Sequence, residues 1–245
     1  APRPDSPRPA RRSSPRSFVA SHVVAVPRSG IREFFELVRS AGTGPDAAGR
    51  RLISLAIGEP DFDVPWHVRE AAIWAIEKGR TGYTSNLGLP ALRQAVSDHV
   101  HSETGVRYDP ETEILITVGV SEALDLALRA VIEPGDEVLF GEPAYVSYSP
   151  SVSLAHGVPV PVPTSAAAGF ALEAAAVDRL VTDRTRALLL NFPNNPTGAT
   201  LPRDRAAEIG RTAAAHDLVV IADEIYAELS YDEPCASFVS AEGMS

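Results

Sequence analysis

The chain has 245 residues, 44% of them hydrophobic and 22% charged; that size suits one large domain or two small ones, and that apolar share excludes wholesale disorder. Acidic residues outnumber basic ones 32 to 22, for a net charge of −10, which argues against a general binder of nucleic acid or of anionic membranes. No uncharged apolar run reaches bilayer length, the single cysteine (Cys235) excludes an intrachain disulfide framework and fits a reducing, cytoplasmic setting, and Lys78 is the only lysine.

Residues 1–17 are Pro, Arg and Ser without apolar periodicity, the composition of a disordered tail. The globular pattern starts at Phe18. Ile31 to Ser40 has helical spacing, with Ile31, Phe34, Phe35 and Val38 on one face. A Gly/Pro/Ala loop follows, then a short apolar strand, Leu52 to Ile57, stopped by Gly58 and Pro60. His67 to Lys78 and Leu89 to His101 are helical by spacing, the second with Pro90 in its first turn.

From Ile114 onward strands and helices alternate. The expected strands are Ile114 to Val118, Glu137 to Phe140, Val158 to Val162, Arg186 to Asn191 and Leu218 to Asp223. The expected helices are Ser121 to Ile132, Ala144 to Ala155, Leu172 to Val181 and Arg203 to His216. LLLN and LVVIAD are continuously apolar, the pattern of strands buried on both faces of a parallel sheet. Such alternation predicts an α/β fold, in which a ligand sits beyond the carboxyl ends of the strands.

Four of those ends carry chemistry. Gly119-Val120-Ser121 joins a strand to a helix start, whose free amides and dipole attract an anion; Ser121 could also be a plain capping serine. Tyr145 follows the strand ending at Phe140. Asn195 lies in the Pro- and Gly-fixed loop NFPNNPTG, a composition also found in simple turns. Asp223 ends an apolar strand, where an acid is costly to bury without a cationic partner. An anion cradle, an aromatic ring, an amide and a buried acid together suit a flat, phosphorylated, basic heterocycle. Asp223-Glu224 has no His or Cys companion, so no metal is expected.

The stretches ISLAIGEPDFDVP, GYTSNLGLPALRQAV, TVGVSEALDLALRAV, PGDEVLFGEPAYVSY, NFPNNPTG and VVIADEIYAEL resemble, in order and spacing, the class I/II pyridoxal-phosphate aminotransferases of fold type I. The resemblance runs from about Val23 to the end. It implies a three-layer α/β/α large domain with a mostly parallel sheet over residues 61–245, and a contribution of residues 18–60 to a small domain. It implies transamination between an L-amino acid and a 2-oxo acid, with pyridoxal 5′-phosphate as cofactor, in a homodimer, and without a nucleic-acid or membrane partner.

By position, Asp223 matches the acid at the pyridine nitrogen. Tyr226 and Asn195 match the donors to the ring's phenolic oxygen, and Tyr145 the stacking aromatic. Val120 and Ser121 match the phosphate cradle, and Tyr83 a tyrosine reaching the neighbouring subunit's phosphate. Gly58 matches the glycine against the substrate carboxylate. The family's Schiff-base lysine and its carboxylate-binding arginine come later in the family's order than Ser245, and Lys78 matches neither. The resemblance thus implies a fragment incomplete at the C-terminus, with no catalytic residue in this stretch.

Two other functions fit parts of the sequence. GVSEA resembles the nucleophile elbow of an α/β-hydrolase, with Ser121 as nucleophile and His156 or His216 as base, but NNPTG and DEIY then go unexplained. A truncated, catalytically inactive relative would act as a binding module.

Overall fold

The computed structural model describes residues 18–27, 36, 37, 49, 50, 53, 58, 62–231 and 235–240. The tail 1–17 lies outside them. So do the expected helix Ile31–Ser40 except Glu36 and Leu37, which are helical, and the expected strand Leu52–Ile57 except Ile53. The chain divides into two compact units, one drawn from Ala1–Arg28 and Leu124–Cys235, the other from Ser29–Ala123 and Ala236–Ser245. In chain order the elements are α1 (Ser21–Ala25), α2 (Trp66–Glu77), α3 (Pro90–Thr104), α4 (Val120–Val131), β1 (Glu137–Glu142), α5 (Tyr148–Leu154), β2 (Val158–Pro163), α6 (Ala174–Asp178), β3 (Thr185–Asn191), α7 (Arg203–Ala215) and β4 (Val219–Asp223). No helix among the described residues is long and apolar enough to cross a membrane.

The first unit holds a four-stranded, all-parallel sheet in the order β2-β1-β3-β4. Its centre follows from composition. Val138, Leu139, Ala187 and Leu188 have no exposed surface, as expected of apolar residues pointing to both faces of an inner strand. β2 reads VPVPVP, and its prolines cannot donate to a ladder. Their missing N–H groups fall on one edge, while Val158 and the following Thr164 donate to Asp136 and Glu142 on the β1 side. The sequence of β2 therefore admits only an edge position, which it takes. Around the sheet, α4 buries Leu124 and Leu128, α5 buries Tyr148 and Val152, and α7 buries Ala206, Ile209, Gly210 and Ala213.

β4 corrects the expectation that LVVIAD is buried on both faces. Among the described residues β4 pairs only with β3, and Val219 is 36% exposed. An apolar run reports a tendency to be covered, not the presence of a neighbour on each side.

At the opposite end of the sheet Glu137 is buried at the start of β1. Its carboxylate accepts from Thr182 Oγ1 at 2.6 Å, Thr185 Oγ1 at 3.2 Å and Arg184 Nη2 at 2.7 Å. These donors, Thr182 first and then Arg184, hold its pKa below the usual carboxylate value. The unfolded chain therefore binds the proton more readily. Glu137 contributes stability above its ordinary pKa and loses that contribution as pH falls through the depressed folded value. Glu137→Ala is expected to lower stability by about 2 kcal/mol at neutral pH and to flatten the acid limb of a stability–pH curve measured by urea unfolding.

In the second unit α3 is anchored by two buried polar side chains. Arg93 donates to the Pro110 carbonyl and pairs with Glu111 at 3.6 Å, and Ser97 donates to the Tyr108 carbonyl at 2.6 Å. α3 ends at Gly105, whose φ of 77° suits a left-handed cap. The expected strand Ile114–Val118 is not one here. Ile116 N–H donates to the Leu87 carbonyl at 3.0 Å, but no second strand forms a ladder with it among the described residues. β-propensity makes a strand only where a neighbour supplies the pairing.

Candidate active site

The connection from β1 to β2 runs outward on one side, and β3 then lies on the other side of β1. The strand order thus reverses between β1 and β3, and a crevice at such a switch point opens beyond the carboxyl ends of the strands. A small pocket lies there, lined by Phe140 and Gly141 from β1, Leu189 to Asn191 from β3, and Phe192, Asn194, Tyr148 and Leu172.

Asp223 closes β4 and is 8% exposed. The cationic partner expected for a buried acid is replaced by a neutral donor: Tyr148 Oη donates a hydrogen bond to Asp223 Oδ2 at 2.7 Å. The other oxygen, Oδ1, accepts from the Ile225 N–H at 3.2 Å, a local turn contact two residues on. A carboxylate has about four lone-pair sites, and room remains for a further donor. Burial first, then the bond to Asp223, pushes the Tyr148 hydroxyl far above its ordinary pKa, which leaves it a fixed donor across the working pH range.

Tyr148 was not among the residues expected from sequence. The available signal is its spacing: Tyr148 lies three residues after Tyr145 within the expected helix Ala144–Ala155, where that spacing puts two side chains on one face; the helix itself starts only at Tyr148. Their rings meet edge to face, 5.6 Å between centroids at 82°. Tyr145 is half-buried and Tyr148 is 2% exposed. Tyr148→Phe, which keeps the ring and removes the donor, is expected to cost about 1 kcal/mol in urea unfolding.

The loop after β3 brings Asn195 to Tyr226, in the turn after β4. Asn195 Nδ2 lies 3.2 Å from Tyr226 Oη, and the Asn195 N–H donates to Asn191 Oδ1 at 2.8 Å. The sheet register pairs Asn191 with Asp223. Asp223, Asn195 and Tyr226 therefore come from two adjacent strand ends, with one buried acid and two partly exposed polar groups in mutual contact.

The remaining expected residues lie in the second unit. Gly119, with φ of 81°, turns the chain into α4; Val120 is its first residue and Ser121, exposed, its second. Thr117 Oγ1 donates to the Gly119 carbonyl at 3.0 Å, and Val118 N–H to Glu122 Oε2. Tyr83 is fully exposed and Gly58 is exposed. Lys78 caps the end of α2 and is exposed. For the hydrolase alternative the geometry offers nothing: His216 Nε2 meets Asp178 Oδ1 at 2.7 Å, and the His156 ring lies against His22. Among the described residues no group of His, Cys, Asp and Glu side chains could hold a metal ion.

The donor set fits pyridoxal phosphate. An acid buried at a strand end has capacity for a ring N–H, and two converging donors stand beside it. A half-buried aromatic is close to the acid's own donor. No strong basic group competes for Asp223 among its hydrogen-bond partners.

The chain is similar to known aminotransferases. Residues 50–244 match the sequence profile of the family described as Aminotransferase class I and II. An aspartate aminotransferase of Pyrococcus abyssi is 42% identical over 218 residues, covering 88% of this chain and 54% of the relative. An aromatic-amino-acid aminotransferase of Thermococcus litoralis is 42% identical over 204 residues, covering 83% of this chain and 50% of the relative. The structure of Thermus thermophilus aspartate aminotransferase with maleate superposes with a TM-score of 0.82 at 38% identity, over 91% of this chain and 57% of that one. The chain spans little more than half the length of the relatives it matches, and its α/β fold is that of the aspartate aminotransferases. The chain belongs to the class I and II aminotransferase family.

Proposed function

We propose that this chain carries the cofactor-holding part of a pyridoxal-phosphate-dependent aminotransferase that moves an amino group between an L-amino acid and a 2-oxo acid. The observation that carries this is Asp223, buried at the end of β4 with Tyr148 on one oxygen, next to the Asn195–Tyr226 pair. When bound, pyridoxal phosphate supplies the carbonyl that takes up the amino group and an electron-withdrawing ring.

The residues of this chain bind and orient. The Asp223 carboxyl holds a proton on the ring nitrogen and so keeps the ring electron-poor. Asn195 Nδ2 and Tyr226 Oη donate to the ring's phenolic oxygen and favour its anionic form. The Tyr145 ring covers one face. Val120, through its backbone N–H, and Ser121, through its hydroxyl, take the phosphate at the start of α4, where the helix dipole favours negative charge. Gly58 lies against the substrate carboxylate. Tyr83, exposed to its full extent, reaches the phosphate site of a second copy in a homodimer. The protein works in the cytoplasm, in amino-acid metabolism; its single cysteine and acidic net charge fit that setting.

The test is amino-group transfer by the full-length gene product. Supplied with pyridoxal phosphate, an L-amino acid and a 2-oxo acid, it should yield the exchanged pair. Cofactor-dependent formation of neither product across acidic, aromatic and small amino donors would refute the proposal.

A further inference from the structure

Asn191 is the last residue of β3 and is 4% exposed, a polar side chain following four residues buried to 3% or less. Burying an amide is costly unless both its donor and its acceptor are used. Both are. Asn191 Nδ2 donates to the Asp223 carbonyl at 2.9 Å, across the sheet and 32 residues away. Asn191 Oδ1 accepts the Asn195 N–H at 2.8 Å. Asparagine is a common turn residue, but a local turn explains only the second bond. The first reaches a different strand. Aspartate would lack the donor and leucine would leave the Asn195 N–H and the Asp223 carbonyl both without this partner; the amide serves two neighbours at once.

We propose that Asn191 is a positioning residue of the cofactor site: its one amide ties the Asn195 backbone to the Asp223 backbone. That tie fixes the distance between the group that donates to the ring oxygen and the acid at the ring nitrogen. The inference rests on the function proposed above, because those two roles belong to it. Asn191 itself touches no reacting atom. Its effect passes through Asn195 on one side and Asp223 on the other.

The test uses the full-length gene product as wild type, Asn191→Leu and Asn191→Asp, with two readouts. The first, amide hydrogen exchange, needs no cofactor. In Asn191→Leu the Asn195 amide should exchange about tenfold faster, the loss of one buried hydrogen bond. The Gly198 amide, bonded within the same loop to the Asn194 carbonyl at 2.8 Å, should stay unchanged. In Asn191→Asp the acceptor persists, so Asn195 should keep its protection. The second readout is the pH midpoint of the bound cofactor's visible absorption. It should shift in Asn191→Leu, and the shift should shrink when Asn195→Ala is already present, because only the Asp223 side of the tie then remains to be read.

Unchanged Asn195 exchange in Asn191→Leu would overturn the inference. So would equal acceleration of Asn195 and Gly198, or a midpoint shift of undiminished size in the Asn195→Ala background. If Asn191→Leu does not fold, Asn191→Asp decides: lost Asn195 protection there contradicts the tie. A wild type that binds no cofactor but shows the expected exchange pattern would refute the proposed function while leaving the tie itself established.

Discussion

Asp223→Asn should lower amino-group transfer about 10³-fold, the scale of removing one preorganised charge from a buried reacting site, while leaving the fold intact. The reason lies in what the two side chains share. Asparagine keeps an oxygen for the Tyr148 hydroxyl, now 2.7 Å from Asp223 Oδ2, so the buried tyrosine stays partnered. What asparagine cannot do is balance a proton on a ring nitrogen. Turnover should therefore fall far more than stability. Asp223→Ala separates the two effects from the other side. It removes the acid and also strands a hydroxyl that is 2% exposed, which costs about 2 kcal/mol. Steady-state kinetics and urea unfolding on the pair give the check. Equal losses of stability in both variants would mean that Asp223 is a structural residue of the β4 end.

The second large effect is expected at Gly88→Ala, in the NLGLP stretch of the second unit. Gly88 has φ of +94°, and a Cβ there would fall 2.5 Å from Ile116 Cβ and 2.6 Å from its Cγ1. Neither atom is the end of a flexible chain, so the backbone must move. Left-handed strain and overpacking together amount to about 3 kcal/mol. The backbone that would move is bonded next door, where Ile116 N–H meets the Leu87 carbonyl. From Ile116 the chain runs in two residues to Val118 and Gly119, the turn that sets up Val120 and Ser121. Weakened phosphate binding should accompany the loss of stability. Gly82→Ala is the control: no heavy atom lies within 4 Å of its Cβ position and its φ is not positive, so its cost should stay below about 1 kcal/mol. Similar thermal shifts for the two variants would contradict this account of the turn.

The sequence made the strand-end chemistry legible because each site residue follows an apolar run that must be buried. Asp223 after VVIA, Asn195 after LLLN and Tyr145 after EVLF fall at carboxyl ends by sequence order alone. The partners of those residues were less visible. Tyr148 looked like one of several helix residues, and only the cost of burying Asp223 demanded a donor for it. That donor is neutral because a tyrosine three residues beyond Tyr145 reaches it. Asn191 read as the last letter of an apolar strand, and its two bonds become apparent only with the β3–β4 register.

The misreadings share a cause. Ile114–Val118 and Val219–Ala222 carry strand composition, but pairing and coverage are properties of neighbours. A run of apolar β-formers states what a segment can do, while the sheet order decides which edge it occupies. The prolines of β2 are the opposite case: there the sequence itself forbids a partner on one side, and the edge position follows from Pro159, Pro161 and Pro163 alone.

The central claim is that Asp223, Asn195 and Tyr226 form one grip on a pyridoxal-phosphate ring. The most direct test is the visible absorption of the cofactor titrated into the full-length gene product and into its Asp223→Asn variant. The account predicts a saturable change of the cofactor's band in the wild type, with a midpoint of its pH dependence that differs in the variant. A wild-type spectrum identical to that of free cofactor, or a bound spectrum that Asp223→Asn leaves unaltered at every pH, would contradict it.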